Sequence, residues 1–301
     1  MPNLPIHHLA RSRLLAGIGT ALLMLSGFRA MAELPDLGSV PADLVVPECL
    51  DGGAPAAGKR VSQTTLGWQG TTVHHALYLP ADWKPDGNYP VIVEYPGNGN
   101  YRNKFGDVST GAVEDGHLGY GISGGKGFIW VVMPFVEVKD GRKQNATLWW
   151  GDVEETKRYC TATVRDVCTR FGGEEKKVIL SGFSRGSIAC NFIGLHDDEI
   201  AKLWRAFICH SHYDGVNEKW PYGGADRMSA LNRLKRLGDK PQFISHEGST
   251  VATEAFLKSS GIKGNWTFEP IPFRNHSDQW TLRNLPSRRK LRDWLSAVLA
   301  Q

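Results

Sequence analysis

Ser184 is the residue whose neighbours most clearly indicate a chemical role. It lies at the centre of Gly182-Phe183-Ser184-Arg185-Gly186, which fits the pattern G-x-S-x-G. In that pattern the serine occupies a sharp turn between a buried strand and a helix, where its hydroxyl can attack a carbonyl carbon. The apolar run VIL precedes the motif and SIACNFIGL follows it, so both neighbouring elements are predicted. We therefore predict that Ser184 is a nucleophile rather than a serine in an ordinary strand-to-helix bend.

A second copy of the pattern, Gly121-Ile122-Ser123-Gly124-Gly125, has a different context. No strand is predicted before it and no helix after it. The spacing Gly119-x-Gly121-x-x-Gly124 in the same region imitates a dinucleotide-binding fingerprint, which needs the same two neighbours. We predict a flexible loop over residues 116–127 and no cofactor.

His276 is the candidate general base. A serine hydroxyl is a poor nucleophile until a base removes its proton, and in this type of site the order along the chain is serine, acid, histidine. His276 follows the last predicted strand, WTFEPIP, and comes 92 residues after Ser184. His74, His75 and His117 precede the serine and do not fit that order. The alternative is that His276 is a surface histidine with no chemical role.

The acid that would orient the imidazole has two main candidates. Glu247 ends the predicted strand PQFISHE, and Asp214 follows the strand before it. Either carboxylate could hold the imidazole in the required tautomer. We favour Glu247, because its strand lies closer along the chain to the histidine and its longer side chain reaches further. Glu254 and Asp278 are the remaining candidates.

A developing oxyanion needs hydrogen-bond donors, and two segments could supply them. One donor is the backbone N–H of Arg185, the residue after the nucleophile. The other is predicted in Gly97-Asn98-Gly99, which follows the strand VIVEYPG, although that segment could also be a plain turn. The Arg185 side chain could add a charged donor or could pair with a surface acid. One such donor contributes about 3 kcal/mol in comparable sites.

Three tryptophans are candidates for substrate contact. Trp149 and Trp150 lie in LWWG, and Trp220 lies in EKWPYGG beside Tyr222. Exposed aromatic faces suit sugar rings or aromatic acyl groups, whereas the alternative places these side chains partly in the core. The sequence does not name the substrate.

Short apolar strands that alternate with helices surround these residues. Such alternation predicts a parallel, doubly wound sheet with helices on both faces, and ligands in such sheets bind at the carboxyl ends of the strands. The predicted strands are 72–80, 91–97, 128–135, 178–182, 205–211, 241–247 and 266–272. The predicted helices are 153–171, a helix from about Arg185, 228–237, 252–259 and a last helix from Ser287.

The first 32 residues are typical of a secretory signal peptide. A cationic start precedes an apolar run, and Ala30-Met31-Ala32 supplies small residues for cleavage. Removing this segment takes away three arginines and no acid, so the formal charge falls from +4 to +1. No basic block remains, which argues against a nucleic-acid partner. We predict a secreted or periplasmic protein, not membrane-bound after cleavage, with an irregular leader over 33–60 and one catalytic domain over 61–301.

Five cysteines remain after the predicted cleavage. An odd number in an exported protein leaves at least one thiol free. No C-x-x-C spacing exists, so a cysteine-based zinc site is not predicted, and no disulfide pairing follows from the sequence.

Residues 64–299 resemble the α/β-hydrolase superfamily. The resemblance rests on VIVEYPGNGN, LWWGD, the predicted helix 153–171 and KKVILSGFSRGS. Within the superfamily, the order of these motifs is similar to secreted esterases of the polyhydroxybutyrate-depolymerase and feruloyl-esterase type. That resemblance implies a serine esterase acting through an acyl-enzyme on polysaccharide-linked or polyester-type esters. The sequence departs from the family at the acid, because EGST has Ser249 and Thr250 where an aspartate is usual.

Three other functions stay open. A serine peptidase would use the same acyl-transfer residues. His210, His212 and the pair His246-Glu247 could instead gather at the strand ends and hold a metal ion for hydrolysis. The fold could also serve a binding protein without activity, because a fold does not determine a function. The oligomeric state does not follow from the sequence.

Overall fold

A central sheet of nine strands organises the protein. The computed structural model describes residues 34–301, and the predicted signal peptide lies outside the described residues. The strands of the described part are, in chain order, β1 (Cys49–Leu50), β2 (Arg60–Gln63), β3 (His75–Tyr78), β4 (Tyr89–Tyr95), β5 (Tyr101–Arg102), β6 (Val108–Ser109), β7 (Ile129–Val132), β8 (Phe135–Lys139), β9 (Arg142–Ala146), β10 (Gly173–Phe183), β11 (Ala206–His210), β12 (Gln242–Glu247) and β13 (Trp266–Ile271).

The spatial order of the sheet is β1-β2-β3-β7-β4-β10-β11-β12-β13. From β7 to β13 every neighbouring pair is parallel, whereas β3 is antiparallel to both β2 and β7. Strands β5 and β6 form a separate hairpin, as do β8 and β9. The prediction of a mostly parallel sheet is confirmed. The carboxyl ends of β4, β10, β11, β12 and β13 therefore lie along one edge.

Helices cover both faces of this sheet. They are α1 (Leu118–Ser123), α2 (Val153–Phe171), α3 (Arg185–Phe192), α4 (Asp198–Ala201), α5 (Arg227–Leu234), α6 (Val251–Ser260) and α7 (Pro286–Leu299). Side chains alternate across a strand, so Val91 and Val93 face one core layer and Ile92 faces the other. Helices α2, α3, α5 and α6 pack on the first layer, and α1 and α7 on the second.

Helix α2 begins and ends where the sequence predicts, because both of its caps are local. The Asp152 side chain accepts a hydrogen bond from Glu155 N at 2.9 Å, which satisfies one of the free N–H groups of the first turn. Gly172 ends the helix in the left-handed conformation, with a φ of 74°. The predicted range 153–171 is confirmed.

The prediction of a loop over residues 116–127 is wrong in part, because α1 lies within it. The buried carboxylate of Glu94 accepts hydrogen bonds from Leu118 N at 3.2 Å and Gly119 N at 2.9 Å. A carboxylate at a helix N-terminus satisfies free N–H groups and stabilises the helix dipole. These contacts come from β4 and are invisible in the local, glycine-rich sequence. No helix follows Ser123 before β7, so this serine does not occupy a strand-to-helix turn.

The leader is irregular except for two short elements. A 3-10 helix spans Leu37–Ser39, and β1 adds a parallel strand at the sheet edge. Leu37 is buried, and its N–H donates to Asn275 Oδ1 at 2.7 Å, which ties the leader to the loop that carries His276. All five cysteines are free thiols. Within residues 34–301, no helix has both the length and the apolar composition needed to span a membrane.

Candidate active site

Ser184 lies on a sharp turn between β10 and α3. Its φ of 54° and ψ of −112° are unusual for a residue with a side chain, and such strain concentrates at functional sites. The two glycines of the motif are required by close backbone contacts. A Cβ at Gly182 would lie 2.1 Å from the carbonyl group of Gly186, and a Cβ at Gly186 would lie 1.8 Å from Tyr95 O. Ser184 N donates to His210 O at 2.9 Å, which holds the turn against β11.

The structure brings Ser184, His276 and Glu247 into one hydrogen-bonded chain. His276 Nε2 lies 2.9 Å from Ser184 Oγ, and His276 Nδ1 lies 2.6 Å from Glu247 Oε1. A carboxylate can only accept, so Nδ1 carries the proton and Nε2 is left free to accept the serine proton. Burial acts to raise the pKa of Glu247, but the hydrogen bond from His276 and the neighbouring histidines outweigh it, so the pKa lies below its ordinary value.

Ser211 is a member of this arrangement that the sequence analysis missed. It is the first residue after β11, and it is fully buried. Its Oγ lies 2.6 and 2.7 Å from the two carboxylate oxygens of Glu247 and 2.8 Å from His276 Nδ1. One feature of the sequence points to Ser211: it lies at the carboxyl end of β11, the strand that follows the nucleophile strand β10.

Asp214, the alternative acid, does not contact His276. Arg233 Nε donates to Asp214 Oδ2 at 2.8 Å, and Arg233 Nη2 donates to Oδ1 at 3.0 Å. The pair is buried, and burial raises the pKa of Asp214 to about 6. Asp214 is therefore half of a structural ion pair, because it faces α5 rather than the histidine loop. The two lesser candidates also bond elsewhere, Glu254 to Thr250 and Asp278 to His117.

The loop after β4 leaves fewer oxyanion donors than the sequence predicts. Gly99 N already donates to Thr147 O at 2.8 Å, so this N–H is not available to a ligand. Gly97 lines a neighbouring cavity rather than the one that contains Ser184. Asn98 does line the cavity with Ser184. The candidate donors that remain are the N–H of Asn98 and the N–H of Arg185, which begins α3 and has no acceptor within that helix.

The side chain of Arg185 is buried and, within residues 34–301, pairs with no acid. Its guanidinium donates to three backbone carbonyls, Trp149 O at 2.8 Å, Gly111 O at 3.3 Å and Ala146 O at 3.5 Å. It also lies 4.1 Å over the ring of Phe135. Burial lowers the pKa of Arg185 to about 9. The side chain therefore fixes the loops that form the cavity walls.

A cavity of about 260 Å³ opens beside Ser184. The residues around it are Asn98, Gly99, Asn100, Tyr101, Ser109, Trp149, Ser184, Arg185, Ile188, His212, Trp220 and His276. The rings of Trp149 and Trp220 are 5.5 Å apart between centroids. Trp150 does not line the cavity, because it is buried and stacks on Phe192 at 4.5 Å. The structure thus places the Trp150 side chain in the core, the alternative that the sequence left open.

The histidines of the hypothetical metal site make other contacts. His210 is buried, with Nδ1 2.9 Å from Ser245 Oγ and Nε2 3.1 Å from Ser277 O. His212 lines the cavity, and His246 Nδ1 lies 3.1 Å from Glu247 Oε2. In the part of the chain that the structure describes, no three His, Cys, Asp or Glu side chains are grouped so that they could hold a metal ion.

The sheet order, the covering helices and the serine on the turn after β10 define the α/β-hydrolase fold. Solved structures superpose on this chain over most of its length. A Bacteroides ovatus protein described as a dipeptidyl aminopeptidase IV superposes with a TM-score of 0.53 at 16% identity, over 78% of this chain and 35% of that chain. Thermogutta terrifontis esterase 2 phosphonylated by cyclosarin gives 0.52 at 14% identity, over 82% and 95%. Pyrococcus horikoshii acylaminoacyl peptidase gives 0.51 at 11% identity, over 82% and 42%.

These similarities concern the fold. The chain spans about a third of the length of the Bacteroides ovatus protein and less than half of the Pyrococcus horikoshii peptidase, but nearly all of the Thermogutta terrifontis esterase. No protein-family model matches the sequence, and no curated protein matches it.

Proposed function

We propose that this protein is a serine hydrolase that cleaves carboxylic esters through an acyl-enzyme. The observation that carries the proposal is the continuous hydrogen-bonded chain from Ser184 Oγ through His276 to Glu247, with the serine on a strained turn. A hydroxyl within reach of an imidazole that a carboxylate orients is the arrangement that activates serine for acyl transfer.

In the acylation step, His276 Nε2 removes the proton of Ser184 as Oγ attacks the ester carbonyl carbon. The imidazole becomes positively charged, and the carboxylate of Glu247 at 2.6 Å stabilises that charge. The carbonyl oxygen becomes an oxyanion, for which the N–H groups of Asn98 and Arg185 are the proposed donors. Donors that are already in place stabilise such charge strongly because no solvent has to reorganise.

The tetrahedral intermediate then collapses: the bond between the carbonyl carbon and the alcohol oxygen breaks as His276 donates its proton to the leaving alcohol, and the acyl group stays on Ser184 Oγ. In the second half of the reaction, His276 removes a proton from a water molecule as the water oxygen attacks the acyl carbon. The bond from that carbon to Ser184 Oγ then breaks as His276 donates the proton to Oγ, which releases the acid and restores Ser184. The same imidazole serves as base and then as acid in each half.

The cavity favours a neutral acyl group. Among residues 34–301, neither Asp nor Glu lines it, whereas an exopeptidase that binds a free ammonium group needs a carboxylate there. The guanidinium of Arg185 is bound to backbone carbonyls. Burial lowers the pKa of His212 to about 3, so its ring is uncharged at neutral pH. The faces of Trp149 and Trp220 suit an apolar or aromatic acyl group, and the alcohol side of the substrate would belong to a polysaccharide or polyester. Export through residues 1–32 is part of this proposal.

The test is hydrolysis of short p-nitrophenyl esters together with labelling by a fluorophosphonate. Wild-type protein should turn over and label, and Ser184→Ala should do neither while keeping its thermal melting temperature. Turnover that survives Ser184→Ala would refute the serine mechanism. A folded wild-type protein with neither turnover nor label would instead favour a binding protein.

A further inference from the structure

Ser211 has a backbone conformation that is unfavourable for serine. Its φ is 89°, in the region that favours glycine, and its side chain is fully buried. Strained residues of this kind persist only where the surrounding structure holds them, and they concentrate at functional sites. Here Ser211 N donates to Ser245 O at 2.8 Å, which fixes the residue to the strand that carries Glu247.

The Ser211 hydroxyl contacts both partners of the imidazole–carboxylate pair. Its Oγ lies 2.6 and 2.7 Å from the two oxygens of Glu247 and 2.8 Å from His276 Nδ1. An ionised carboxylate has no proton to donate, so the hydroxyl donates to Glu247. The lone pairs of Oγ then face the N–H of Nδ1, which also points to Glu247 Oε1 at 2.6 Å. The proton on Nδ1 therefore has two acceptors.

We propose that Ser211 is a positioning residue for the triad. It holds the carboxylate of Glu247 in one rotamer and gives the Nδ1–H of His276 a second acceptor, so that Nε2 stays directed at Ser184. This inference rests on the proposed serine-hydrolase function. Because β11 and β12 are adjacent and parallel, side chains at the ends of both strands reach the same imidazole nitrogen.

The test compares Ser211→Ala with Ser211→Gly. Both variants lose the hydroxyl, but glycine adopts a positive φ without strain, so Ser211→Gly should melt at a higher temperature than Ser211→Ala. Loss of a hydrogen bond to a charged group predicts that kcat falls about 10- to 100-fold, by a similar factor in both, with KM unchanged. Ser181→Ala is the matched control, because Ser181 is a buried serine of β10 whose hydroxyl donates to Val93 O at 3.1 Å, away from His276 and Glu247, so its kcat should stay at the wild-type value.

A wild-type kcat in folded Ser211→Gly would overturn the positioning role, even if Ser211→Ala is impaired through instability. Wild-type turnover and labelling of Ser184 distinguish that result from failure of the proposed hydrolase function, in which the wild type would already be inactive.

Discussion

Replacing Glu247 by Gln should abolish most of the activity and leave the shape of the site intact. The substitution keeps the volume of the side chain and removes its charge. In the proposed mechanism the imidazole of His276 is positively charged in the transition state, and its Nδ1 lies 2.6 Å from Glu247 Oε1. With the charge centres about 4 Å apart and an effective dielectric constant of about 20, their attraction is about 4 kcal/mol. At 1.36 kcal/mol for each factor of ten, the expected loss in kcat is about 1,000-fold.

The assay for Glu247→Gln is steady-state hydrolysis of p-nitrophenyl acetate at pH 7.5 to 8 (about one unit above an ordinary histidine pKa). Its melting temperature is measured in parallel to show that the variant is folded. Glu254→Gln is the matched control, because Glu254 bonds to Thr250 and not to His276, and its kcat should be unchanged. A Glu247→Gln variant that keeps more than about a tenth of the wild-type kcat would refute the electrostatic reasoning, because so small a loss corresponds to less than about 1.4 kcal/mol.

Three further predictions concern stability, the cavity and pH. Asp214→Asn leaves the buried charge of Arg233 unpaired. Urea unfolding should therefore show a free energy of unfolding lower by about 3 to 5 kcal/mol, with kcat of the folded protein unchanged. A lower kcat without any loss of stability would contradict the structural role of Asp214. Trp149→Ala should raise KM for aromatic esters, because Trp149 lines the cavity. Trp150→Ala removes a core side chain and should lower the free energy of unfolding by about 3 to 5 kcal/mol. A raised KM in Trp150→Ala together with a large loss of stability in Trp149→Ala would contradict these placements. The pKa of Glu247 is lower in the folded protein than its ordinary value of 4.5. The ionised carboxylate therefore stabilises the fold fully above pH 4.5, and this stabilisation is lost as the pH falls towards the lower, folded-state pKa. Glu247→Gln lacks this group, so its free energy of unfolding should depend less on pH than that of the wild type between about pH 4 and 2.

The strand–serine–helix unit could be predicted from the sequence because its causes are local. The glycines at positions 182 and 186 are required by contacts between backbones that the turn itself brings together. The bounds of α2 were predictable for the same reason, since Asp152 and Gly172 cap the helix from within the segment.

The hairpin β8–β9 was missed although it has a local signal. Asp140 and Gly141 form its turn with φ values of 51° and 73°, and the pair Asp-Gly is typical of such turns. The apolar start of β8, Phe135, falls inside the predicted strand 128–135, and β9 is short and polar, so periodicity alone did not separate the hairpin from that strand. The hairpin matters for the site because it leads directly into the loop that carries Trp149, whose carbonyl binds Arg185.

Helix α1 could not be predicted, because its stabilising contacts come from β4. The same limit applies to the oxyanion segment. Whether Gly97, Asn98 or Gly99 has a free N–H depends on which carbonyl lies opposite, and Thr147 O takes the N–H of Gly99 from a distant part of the chain.

The sequence by itself determined the fold class and the serine, and it placed the histidine after the last strand as the candidate base. These features depend on patterns within a few residues and on the order of strands and helices. Only the tertiary structure shows that Glu247 rather than Asp214 contacts His276, that Trp150 lies in the core, and that Ser211 contacts the same imidazole. The physical reason is that two carboxylates at strand ends look alike in sequence, whereas their partners, His276 for one and Arg233 for the other, are chosen by which elements pack side by side.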